Sequence, residues 1–79
     1  MKKNGKIIEF DGRFGRINGE QNYYDFHISD LSNNIDKETI QIGDTVEFRP
    51  EFRPHNISRA KNIKILQKNH IRNSQEIER

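Results

Sequence analysis

Apolar residues along this chain come singly or in pairs, and polar residues separate them at strand-like intervals. The longest apolar runs, such as Ile7-Ile8 and Ile65-Leu66, are two residues long. Lys6-Ile7-Ile8-Glu9-Phe10 reads as a first strand on β propensity, and Asp11-Gly12 ends it in a tight turn. Arg13 to Asn18 is the second strand. Asn18-Gly19 is a strong hairpin turn signal, and Tyr23 to Ile28 is the third strand. Thr45-Val46-Glu47-Phe48-Arg49 alternates cleanly as a fourth, after a turn at Gly43-Asp44. Ile57 to Leu66, with Ala60, Ile63 and Ile65 among basic residues, is the fifth.

Between the third and fourth strands, Ser29 to Asp44 reads as a long loop with room for one helical turn at Asp36-Lys37-Glu38. Ile35, Ile40 and Ile42 are expected to pin it to the core. Proline lacks the N–H that a sheet interior needs, so the fourth strand should end, bulge or become an edge near Pro50. Glu51 to Asn56 is then an exposed loop. A meander of three short strands followed by a hairpin predicts an all-β fold, a small five-stranded Greek-key OB-like barrel, with an SH3-like barrel as its rival. The barrel should occupy residues 1–66. Residues 67–79 form a polar C-terminal tail, expected as a frayed helix or a disordered segment.

Composition narrows the function classes. Hydrophobic residues make up 30% of the 79-residue chain and charged residues 33%, so one domain with a small core is expected. Cysteine is absent, which excludes disulfides, thiolate metal sites and a cysteine nucleophile. His27, His55 and His70 lack metal-ligand spacing, so no metal and no cofactor is expected. No stretch suits a membrane span or a secretory signal, and a cytoplasmic location is expected. No catalytic constellation is visible, and the reading is of a protein that is not an enzyme. The formal charge of +2 hides an asymmetry. Residues 1–48 carry six Lys/Arg against nine Asp/Glu, whereas residues 49–79 carry eight against three. A basic half suits a polyanion, or equally a solvated surface.

The motifs, taken in order, resemble a divergent bacterial cold-shock domain, an OB-type barrel, from Gly5 to Leu66. Gly5-Lys6-Ile7-Ile8-Glu9-Phe10-Asp11 is similar to that family's opening Gly-Lys-Val-Lys-Trp-Phe-Asn. Arg13-Phe14-Gly15-Arg16-Ile17 resembles its first ribonucleoprotein motif, Gly-Phe-Gly-Phe-Ile. Tyr24-Asp25-Phe26-His27-Ile28-Ser29-Asp30-Leu31 resembles the second, Val-Phe-Val-His-Phe-Ser-Ala-Ile. Gly43-Asp44-Thr45-Val46-Glu47-Phe48 and Ala60-Lys61-Asn62-Ile63 resemble two later motifs. The resemblance implies binding of single-stranded RNA or DNA by stacking bases on rings. Glu9 stands where the family has tryptophan, and Arg16, Asp25 and Ile28 stand where it has phenylalanines. Each ring lost removes about 1–3 kcal/mol of stacking, so weaker binding that leans on the basic second half is expected.

The candidate nucleic-acid-binding residues are Lys6, Phe10, Arg13, Phe14, Arg16, Tyr23, His27, Arg49, Phe52, Arg53, Arg59 and Lys61. Phe14 faces outward if Ile17 is core, while Phe10 is partly core. Tyr24, Phe26 and Phe48 point inward, which leaves Tyr23 as an exposed ring. Phe52, between Arg49 and Arg53 in a Pro-flanked segment, either contacts a strand or folds over the barrel mouth. Outward Glu9, Arg16 and Asp25 on successive strands predict an acid–Arg–acid ladder, or else three unrelated surface charges. The alternative function is a protein–protein interaction or self-association module, a homodimer included, using this charged sheet face.

Overall fold

The computed structural model describes residues 1–69, in which five strands carry the fold. They are β1 (Lys3–Phe10), β2 (Phe14–Asn18), β3 (Tyr23–His27), β4 (Thr45–Glu51) and β5 (Ser58–Gln67). They close into a barrel in the order β1-β2-β3-β5-β4. The β3–β5 pairing is parallel and the other pairings are antiparallel. This is the OB-like Greek-key arrangement, not the SH3-like rival. Among the described residues no helix is long and apolar enough to cross a membrane.

Alternation fills the interior as the sequence predicts. Ile7, Ile17, Tyr24, Phe26, Val46, Phe48, Ala60 and Ile63 are buried, with Ile40 over one end. Tyr24 and Phe48 meet with ring centroids 4.8 Å apart. Phe10 and Phe26 stack at 5.9 Å and 14°. That stack requires Gly15, which pairs with both rings' residues, because a Cβ there would collide with the Phe26 ring. Of the three loop isoleucines, Ile40 and Ile35 pack on the core. Ile42 does not; it is 55% exposed, because the chain turns away at Gly43.

Three bulges bend the strands enough to close five of them. In β1, Ile7 pairs with Ile17 and Glu9 with Arg16, which leaves Ile8 as the extra residue. In β5, Phe48 faces both Asn62 and Ile63, and Asn62 takes a left-handed φ of 52°. Asparagine tolerates that region better than most residues. Leu66 is a third extra residue, between Ile65 and Gln67.

Several boundaries move from their expected places. The β1 strand begins at Lys3, not Lys6, since Lys3 to Lys6 pair with β4. Arg13 belongs to the β1–β2 turn and Ile28 to a 3-10 turn (Ile28–Asp30). The β2–β3 connection is four residues, Gly19 to Asn22, with the left-handed residue at Glu20 (φ 76°) instead of a two-residue Asn-Gly turn. The helical turn in the long loop is present at Lys37–Thr39, capped by Asp36 accepting from Glu38 N–H at 2.9 Å. The β4 strand continues through Pro50 to Glu51, but beyond Phe48 it pairs only with β5. Proline therefore sits where β4 has become an edge.

The barrel also extends past residue 66. Gln67 is in β5, and Lys68 and Asn69 dock on Asp44, which is fully buried. Its carboxylate accepts from Gln41 N–H at 2.9 Å, Lys68 Nζ at 2.8 Å and Asn69 N–H at 2.8 Å. Lys68 also donates to the Thr39 carbonyl. Gly43, at φ 97°, leaves the space that the Asn69 side chain occupies. The rest of the expected tail, 70–79, lies outside the described residues.

A buried carboxylate that organises two backbone donors and an ammonium is costly to lose. Asp44→Ala should lower unfolding stability by about 3 kcal/mol, measured by urea denaturation. A loss below about 0.5 kcal/mol would show that the Lys68–Asn69 segment is not held through Asp44.

Candidate nucleic-acid interface

The β1–β2 turn places the first ring. Asp11 Oδ1 accepts from the N–H groups of Arg13 (2.9 Å) and Phe14 (2.8 Å), and Asp11 N–H donates to the Phe14 carbonyl at 3.0 Å. The bonds from Phe14 and Arg13 hold the Asp11 carboxyl below the usual carboxylate range. Phe14 follows on the outer face of β2, 56% exposed. Its cross-strand partner is His27, and the two rings meet edge-on with centroids 4.9 Å apart. His27 is held by its own loop: its Nδ1 accepts from Ser29 N–H at 3.1 Å and lies 2.9 Å from Ser29 Oγ. The neutral ring then carries its proton on Nε2, which remains a donor for a ligand.

The outer face of the barrel has three rows. The first is the Phe14–His27 ring pair. The second runs Glu9, Arg16, Asp25, Arg59 and Glu51 across β1, β2, β3, β5 and β4, one residue per strand, alternating in sign. The third is Lys6, Asn18 and Tyr23. Arg16 Nε donates to Asp25 Oδ1 at 2.9 Å, and that bond, with lesser help from Glu9, raises the Arg16 pKa. The expected ladder is therefore built in register, with its hydrogen bond on the Asp25 side. Tyr23 is exposed but lies four residues from His27 along β3, about 13 Å away. It shares its end of the barrel with Lys6, not with the ring pair.

An open groove of about 380 Å³ beside the ring pair is lined by Phe14, His27, Ser29, Arg53 and Arg59 among others. On the other side of Phe14, Arg13 and Lys37 border a second hollow. Phe52 is 57% exposed, yet its ring reaches back to Tyr24 with centroids 6.2 Å apart, at the barrel mouth. Arg49 lies elsewhere, in a groove on the β4–β5 face with Lys2, Glu47 and Lys64. Phe10 is half-buried beneath the groove that begins beside Phe14.

Asp30 is the residue that sequence reasoning missed. It is 4% exposed and accepts three charge-relevant bonds: from His27 N–H at 2.9 Å, Arg59 Nη2 at 2.5 Å and Lys61 Nζ at 3.1 Å. Two of the candidate phosphate contacts are thus engaged inside the protein. The spacing of Asp30, three residues after His27, was the available signal, since it is that of a capping box, which the 3-10 turn forms. Lys37 was also missed, because nothing in its own segment links it to Phe14. Among the described residues Arg13, Lys37 and Arg53 make no ion pair. No group of three or more His, Cys, Asp or Glu that could hold a metal occurs among them.

No family model matches the chain, and no curated protein matches it. Among solved structures the barrel is similar to Drosophila Unr CSD456, a cold-shock-domain structure. Identity is 25% and the TM-score is 0.66, over 89% of this chain and 29% of that one. The chain therefore spans less than a third of the length of that protein chain. The similarity supports a cold-shock-like barrel.

Burial pushes the Asp30 carboxyl up, but the bonds from His27, Arg59 and Lys61 outweigh it and hold it below the ordinary range. The folded state thus favours the ionised form. Its stabilisation is complete above the unfolded carboxylate pKa, about 3.9, and is lost as pH falls through the lower folded value. Asp30→Asn should cost about 3 kcal/mol at pH 7 and flatten the acid limb of stability against pH, read from urea midpoints between pH 7 and 2. An unchanged acid limb would mean that another carboxylate dominates it.

Proposed function

We propose that this barrel is a non-enzymatic binder of single-stranded RNA or DNA with a contracted footprint. The likeness to a cold-shock-domain structure supports the class of ligand. The observation that carries the reading is the exposed Phe14–His27 pair. The loop positions it from both sides, it opens onto a groove, and Arg13, Lys37 and Arg53, all without ion-pair partners among the described residues, flank it. One base stacks on Phe14, His27 Nε2 donates to a base or phosphate acceptor, and Arg53 and Arg13 meet the backbone on either side.

The middle row limits the footprint. Glu9 and Asp25 oppose phosphates, and Arg16 is already bonded to Asp25. A strand laid across the sheet would gain neither the rings nor the free cations that such a path needs. Binding is therefore confined to the ring-pair end of the barrel, over one or two bases.

Counterion release turns this into a number. Three free cations give a slope of log affinity against log salt of about −2, at roughly 0.7 per neutralised phosphate. Engagement of all seven basic candidates would give about −5. Fluorescence titration of a labelled hexathymidine at several salt concentrations should give the shallower slope. Phe14→Ala should weaken binding about tenfold, and Arg53→Ala should reduce the slope by about one. Absence of binding at low salt, or an affinity insensitive to Phe14→Ala, would overturn the reading.

A further inference from the structure

Adjoining the nucleic-acid groove at Phe14, an open trough of about 560 Å³ runs between β1 and β2. Its walls are apolar. Phe10 and Phe14 form one stretch, and Ile42 the other, with Phe14 and Ile42 each more than half exposed. Its rim is acidic. Glu9, Asp11 and Asp25 stand around it against a single cation, Arg16, which is bonded to Asp25. Asp11 is held ionised by backbone N–H groups that engage only Oδ1. Glu9 makes no ion pair among the described residues, and its outward aim comes from the bulge at Ile8.

Rings beneath and carboxylates at the edge are complementary to a cation on an apolar stem. A guanidinium or ammonium group over Phe10 or Phe14 gains attraction from the ring face and from Glu9 and Asp25 at once. Its methylenes, and an apolar neighbour in the same peptide, cover Ile42. A phosphate chain meets three carboxylates here and is repelled. We infer that this trough docks a basic, apolar-flanked peptide segment of a partner protein, one bearing arginine or lysine beside leucine-like residues. The site is separate from the nucleic-acid groove, shares only Phe14, Asp25 and the underlying Phe26 with it, and does not depend on nucleic-acid binding being correct.

The test uses the full 79-residue chain, labelled with nitrogen-15, and the synthetic peptide acetyl-Gly-Arg-Leu-Arg-Leu-Gly-amide. Saturable amide shifts are expected at Glu9, Phe10, Gly15 and Ile42. They should vanish with a peptide carrying glutamate for both arginines, and weaken when glycine replaces both leucines. Glu9→Lys should lower peptide affinity about tenfold. Ile42→Ser, which changes an exposed side chain, should lower it without altering the core spectrum. Three outcomes overturn the proposal: no saturable shift at these amides, equal shifts with the glutamate peptide, or hexathymidine moving Glu9 and Ile42 and displacing the peptide. The last would make the trough part of a nucleic-acid path.

Discussion

The barrel closes through a short parallel seam, and a buried carboxylate sits at its end. The β3–β5 ladder holds only Tyr24 against Ser58 and Asp25 against Arg59, with a further bridge between Leu31 and Ile63. Parallel pairing is slightly weaker per residue than antiparallel pairing, and two pairs alone would leave an edge able to open. Asp30 lies between these contacts. It takes the backbone of His27 at the end of β3 and the side chains of Arg59 and Lys61 on β5. One ion in the interior therefore binds both lips of the seam, and its own burial is offset only while both lips are present.

That arrangement decides what the outside can do. The basic second half of the chain suggests a broad electropositive surface, but much of it is committed inward. Arg59 and Lys61 answer to Asp30 and Lys68 to Asp44, and on the outer face Arg16 of the first half is bonded to Asp25. The cations that remain free beside rings are few and lie at one end of the barrel. The same commitment leaves the β1–β2 trough acidic. Two adjacent recesses thus present opposite electrostatics within a few residues of Phe14, which borders both.

Period-two alternation made most of the fold legible. It placed Ile17, Tyr24, Phe26, Val46 and Phe48 inside, and Phe14 and Tyr23 outside, because burial is what alternation records. The edge character at Pro50 followed from a missing N–H. Bulges were not legible: Ile8 and Leu66 look like ordinary strand residues, and only closure of the barrel requires an extra residue at each. Asp30 and Asp44 were read only as loop and turn residues because their distant donors, Arg59, Lys61, Lys68 and Asn69, lie 24 to 31 positions further along the chain. The ring pair was visible as a pattern, whereas the separation of Tyr23 and Arg49 from it depends on register and on the far side of the cylinder.

The alternating row of Glu9, Arg16, Asp25, Arg59 and Glu51 has a role in choosing the fold as well as in shaping its surface. Hydrophobic alternation rejects a strand that slips by one residue, since every side chain would change face. It is blind to a slip of two. Such a slip between β2 and β3 would keep Ile17 inside, but it would set Arg16 against Tyr23 or His27 and take from Asp25 the guanidinium it bonds across the strand. The order of signs around the cylinder therefore carries the information that the apolar pattern lacks. Weak as each exposed pair is, together they distinguish the native pairing from misaligned barrels that bury the same residues.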